Sequence, residues 1–72
     1  MAIDVRKSII NNFKDANKEE IKNSITASID ENEEITLPGL GVFFEVLWKN
    51  SDENSQEYIL NTLQSGIKNS NN

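Results

Sequence analysis

The densest apolar block in the chain, Thr36-Leu37-Pro38-Gly39-Leu40-Gly41-Val42-Phe43-Phe44-Glu45-Val46-Leu47-Trp48, constrains the fold more than any other feature. Read as a helix opening near Pro38, it places Leu40, Phe43, Phe44 and Leu47 at i, i+3, i+4 and i+7. Val42 and Val46 widen that face and leave only Gly41, Glu45 and Lys49 as a polar strip. A helix apolar over most of its circumference belongs at the centre of a fold. The other reading pairs residues 34–37 with residues 42–48 as a short β-hairpin across Pro38-Gly39-Leu40-Gly41, which β-branched and aromatic content permits. The helix is favoured, because proline suits a first helical turn and a lone two-stranded hairpin is weakly stable.

Helical signals flank this block. Val5, Ile9, Ile10 and Phe13 recur at helical spacing over residues 3–14, with Asp4 as N-cap. Asn17 followed by Glu20 is a capping box with asparagine in the first position, and Ala16 and Ile21 occupy the staple positions around it. Ile21, Ile25 and Ile29 then form a narrow stripe, with Ala27 beside them. Asp30, Glu31, Glu33 and Glu34 crowd the end of that helix, where the dipole disfavours anions, and Asn32 supplies a left-handed stop. A last helix starts at Ser51 or Asp52 and carries Tyr58, Ile59, Leu63 and Ile67, with Leu60 on its flank. The polar tail at about 68–72 is expected to fray. The expected architecture is all-α: residues 1–72 form a single small domain of about four short helices. Its core is Leu40, Phe43, Phe44, Leu47 and Trp48, closed over by Ile9, Ile10, Phe13, Ile21, Ile25, Ile29, Ile59 and Leu63.

What is missing narrows the chemistry. The chain has neither His nor Cys, which removes imidazole acid–base catalysis, cysteine nucleophiles, disulfides and ordinary zinc sites. No cofactor and no metal are expected. The adjacent carboxylates Glu33-Glu34 and Asp52-Glu53 do not converge on one atom, and neither run has the alternating pattern of a calcium loop. No apolar run approaches the roughly 18–20 residues that cross a bilayer, so no membrane partner is expected. The start of the sequence lacks the apolar stretch of a secretory signal, which points to an intracellular protein. A chain this short buries only ~60% of its unfolded surface on folding, which makes a homodimer or a protein partner a reasonable expectation.

Charge is unevenly divided. Residues 1–29 carry five cations against four acids, net +1, whereas residues 30–72 carry two against eight, net −6. The whole chain, at −5, is poorly suited to coating nucleic acid, which depends on cations neutralising phosphates. One alternative use of the basic half is weak, non-sequence-specific nucleic-acid binding. Its contacts are Arg6, Lys7, Lys14, Lys18 and Lys22, with the amides of Gly39 and Gly41 cradling a phosphate. Leu37-Pro38-Gly39-Leu40-Gly41 resembles the turn of helix-hairpin-helix DNA-binding modules, but Val42-Phe43-Phe44-Glu45 stands where that family carries Lys or Arg. The two N-terminal helices and the glycine turn also echo the opening half of histone-like architectural proteins. Their basic arm has no counterpart after Trp48. Trp48, Phe43 and Phe44, without interleaved cations, read as core and not as a stacking platform.

A broader similarity runs along the whole chain. It is carried by Arg6-Lys7-Ser8-Ile9-Ile10, by Lys18-Glu19-Glu20-Ile21, by the block from Ile35 to Trp48, by Asn50-Ser51-Asp52-Glu53-Asn54 and by Leu63-Gln64-Ser65-Gly66-Ile67-Lys68. In length and order these resemble the I-type small acid-soluble spore proteins of endospore-forming bacteria. The resemblance implies a minor, non-enzymatic protein made in the forespore and held in the spore core. It implies binding to itself or to another spore-core protein, and it brings no established catalytic or binding residues. That family is distinct from the major spore proteins that saturate DNA, and no obvious counterpart of their germination-protease cleavage motif is present here.

Overall fold

The computed structural model describes residues 4–70, which form α1 (Val5–Asn12), α2 (Lys18–Glu31), a 3-10 turn (Glu34–Thr36), α3 (Leu37–Lys49) and α4 (Glu53–Ser70). The fold is all-α. Among the described residues there is no strand, so the hairpin alternative over 34–48 is replaced by helix. The reason is local: the 3-10 turn donates the Leu37 N–H to the Glu34 carbonyl, Pro38 sits in the first turn of α3, and helix runs unbroken from there. No glycine takes a positive φ, so nothing in Pro38-Gly39-Leu40-Gly41 turns the chain back.

The helix ends follow their capping chemistry. The Asp4 carboxylate accepts from the Lys7 N–H at 3.0 Å, which starts α1 at Val5, and the helix closes at Asn12 with Phe13 as C-cap. The expected range reached further at both ends, and residue 3 lies outside the described residues. Asn17 and Glu20 form both halves of the capping box, at 2.8 and 3.2 Å. Asn32 ends α2 at φ 51°, the one non-glycine residue with positive φ among those described. Thr36 then ties the turn back to α2, its hydroxyl donating to the Ser28 and Glu33 carbonyls at 3.3 and 2.8 Å. At the last helix the Asp52 carboxylate accepts from the Ser55 N–H at 2.8 Å, so Asp52 is a cap and Glu53 the first helical residue. Regular helix continues through Ser70; Asn71 and Asn72 lie outside the described residues.

The expected central element is central: α3 packs against α1, α2 and the 3-10 turn. Phe13 meets Phe43 edge to face at 5.1 Å and 80°, and Phe44 stacks on Trp48 at 6.1 Å. The core itself is thinner than the pattern suggests. Among the described residues Val42 is the one buried apolar side chain, at 9% exposure, with Ile9, Phe13, Ile21, Ile25, Leu40, Phe43, Trp48 and Ile59 half-buried. Ile10, Ile29, Phe44, Leu47 and Leu63, expected inside, are exposed. The cause is α4, which is joined to α3 by three residues and does not close over it. Asn50 Nδ2 and Ser51 Oγ donate to the Val46 and Leu47 carbonyls at 2.8 and 2.6 Å, and Gln56 Nε2 donates to the Trp48 carbonyl at 3.1 Å. These bonds brace the connection, so the face of α3 bearing Phe44 and Leu47 stays open.

Candidate functional site

That open face is the floor of a cleft of about 550 Å³. Ile9, Ile10 and Phe13 of the α1 segment form one wall, Ile21 and Ile25 of α2 another, and Leu40, Phe43, Phe44 and Leu47 the floor. Lys14 is the sole charged side chain lining it. Lys18 and Lys22 flank Ile21 and Ile25 in a second groove that shares those two side chains with the cleft. Apart from Lys14, the lining is aliphatic and aromatic, and it offers no acid–base pair. Among the described residues no group of three or more acidic side chains is placed to hold a metal ion.

The sequence-singled cations do not gather into one patch of free charge. Arg6 reaches across to α3 and clamps Glu45 with two hydrogen bonds, the Nη2–Oε2 one at 3.1 Å, and Lys49 lies 4.0 Å from the same carboxylate. Lys7 is exposed on α1, Lys14 lines the cleft, and Lys18 and Lys22 lie one helical turn apart on α2. Gly39 sits in the first turn of α3, facing Ile9, whose Cδ1 would be 3.9 Å from an added Cβ. Gly41 is exposed and lies deeper in the same helix. The Arg6–Glu45 link joins residues 39 apart, and neither partner carries a local signal for it.

The Arg6 hydrogen bond, together with its positive charge, holds the Glu45 carboxyl below its ordinary value, and Glu45 in turn raises Arg6. The Ser55 N–H does the same for Asp52. Both carboxyls therefore bind protons less readily folded than unfolded. Their stabilisation is complete above the unfolded carboxylate values near pH 4 and is lost as pH falls through the lower folded values. Thermal melts followed by circular dichroism should lose Tm below about pH 4. The Glu45→Gln/Asp52→Asn double variant keeps side-chain size and one acceptor oxygen at each site but removes the titration and one of the two Arg6 bonds, and its melts should fall less steeply there. Equal slopes for the two proteins would show that these contacts do not govern acid behaviour.

Comparison with known proteins bears on the whole chain, cleft included. The family described as "Small, acid-soluble spore protein I" matches residues 3–67. The chain belongs to that family. Curated relatives of this name from Bacillus mycoides (strain KBAB4), Bacillus cereus (strain G9842) and Bacillus anthracis (strain A0248) are each 40% identical over 68 residues, covering 94% of this chain and 99% of theirs. No solved structure matches. The family is one of spore proteins, not a known enzyme family, so the cleft belongs to a sporulation protein. No described helix is long and apolar enough to cross a membrane.

Proposed function

We propose that the chain is a minor, non-enzymatic protein of the spore core that acts by binding a protein surface, its own or that of another spore-core protein. The observation that carries this reading is the cleft: a broad apolar surface left open by α4, in a family of spore proteins, without catalytic groups in its lining. Burying such a surface is a sizeable source of binding energy. A second reading rests on Lys14, Lys18 and Lys22 standing around Ile21 and Ile25, where they would meet phosphates of a nucleic acid weakly and without sequence preference. The net charge of −5 works against it.

Two titrations of the purified protein separate these readings. An apolar fluorescent dye, anilinonaphthalene sulfonate, should brighten on the folded protein when it is diluted far enough that no copy occupies the cleft of another. A labelled DNA duplex should show no change in anisotropy at either about 50 or about 200 mM salt, the range over which phosphate contacts lose affinity steeply. Micromolar duplex binding at the lower salt that collapses at the higher would overturn the protein-binding reading in favour of the cationic one.

A further inference from the structure

Helix α4 has an apolar seam with no cover. Leu60, Leu63 and Ile67 follow one another at three- and four-residue spacing and are all exposed, with Gln56 continuing the line toward the start of the helix. The same chain thus holds an open apolar cleft and an open apolar helix face. They are not placed to meet within one molecule, because the hydrogen-bonded connection from Asn50 to Gln56 fixes the departure of α4 from α3.

We infer that the cleft receives α4 of a second copy of this chain, the two copies exchanging helices reciprocally. This rests on the protein-binding reading above and names its partner. Surface area is the first argument. A folded monomer of this mass exposes about 4,500 Å² by the usual scaling, whereas this chain exposes 6384 Å². The excess, roughly 1,900 Å² per chain, lies in the range that obligate homodimers bury. Charge is the second. Glu53 and Glu57 lie along one edge of the seam in the first turns of α4, and Lys14, Lys18 and Lys22 stand around the apolar wall formed by Ile21 and Ile25. Seating the seam in the cleft brings the acidic edge of one copy toward the basic rim of the other. Symmetry is the third. Each copy offers one helix and one cleft, so a two-fold exchange fills both and closes without growing into a filament. Pairing α4 with α4 would leave both clefts empty and most of the excess area uncovered.

The test uses the full chain and two charge variants at positions that are half-exposed in the monomer, Leu63→Glu on the seam and Leu47→Lys in the cleft. Circular dichroism confirms that each keeps its helix content. Light scattering after size exclusion should give the wild type a mass twice 8.1 kDa. Each variant alone should dimerise at least about 100-fold more weakly. Mixing the two variants should restore a dimer, because one seat is then wild type and the other sets the new carboxylate opposite the new ammonium. Dimers that survive Leu47→Lys but not Leu63→Glu would overturn the exchange in favour of a seam pairing with itself. A wild type that stays monomeric at roughly millimolar concentration would also overturn it. In that case bright dye binding leaves the protein-binding reading standing with a different partner, and absent dye binding removes both.

Discussion

Replacing Phe43 by alanine should lower the melting temperature by 10 °C or so and cost about 2–3 kcal/mol. Phe43 is half-buried at the junction of α1 and α3, its ring edge-on to Phe13 at 5.1 Å. Full truncation of a buried phenylalanine costs about 3–5 kcal/mol, and partial exposure places this site at or below the low end of that range. The loss is large against what the domain has. Folded stability of about 0.05–0.15 kcal/mol per residue gives a chain of this length roughly 4–10 kcal/mol, and a core with a single buried side chain sits low in it. Urea titrations followed by Trp48 fluorescence measure the change directly, since the chain has one tryptophan and it stacks on Phe44, the next residue along. Phe13→Ala should give a similar loss, and the double variant should lose less than the two singles together, because the edge-to-face contact is counted once. A drop of less than about 3 °C for Phe43→Ala would mean that α1 is not held to α3 by this pair.

The uneven legibility of the fold has a physical origin in the reach of each signal. Asn17, Glu20 and Asn32 act on backbone groups three or fewer residues away, so α2 was readable from start to stop. The i, i+3, i+4, i+7 pattern of Leu40, Phe43, Phe44 and Leu47 likewise specified α3. It did not specify which part of that broad face is covered. Burial fell to Val42, on the flank of the pattern, while Phe44 and Leu47 look out into the cleft. An apolar stripe records that a face is to be buried, not whether its own chain or another molecule buries it. The seam of α4 is the same case. Leu63 read as core and Ile67 as part of the same stripe, with Leu60 on its flank; all three are exposed, and the hydrogen-bonded connection at Asn50 and Ser51 directs them away from α3. The pairing of Arg6 with Glu45 was beyond sequence reasoning for a different reason: a long-range ion pair has no periodicity, and Glu45 read simply as part of the polar strip of α3.

Glycine-to-alanine substitution at 39 and 41 should stabilise the protein, and the sign of the effect separates helix from turn. In the hairpin reading Gly39 and Gly41 would reverse the chain, where the absence of a side chain matters and alanine strains the backbone. In α3 neither residue has positive φ. An added Cβ at Gly41 meets nothing within 4 Å, and one at Gly39 meets only Ile9 Cδ1 at 3.9 Å, an ordinary van der Waals contact. Alanine then removes conformational freedom from the unfolded chain and favours the helix, gaining about 0.5–1 kcal/mol at Gly41. Gly39 lies in the first turn, where propensity counts for less, but its new methyl packs toward α1. The double variant should therefore melt about 4–8 °C higher than wild type. It also bears on phosphate binding, because a cradle that depends on close approach of the glycine backbone would be obstructed by two methyl groups. A variant that is more stable and unchanged in every binding assay makes these glycines ordinary helix positions. A variant that is less stable, by any margin beyond error, would place the turn back at Pro38-Gly39-Leu40-Gly41 and take α3 apart as described.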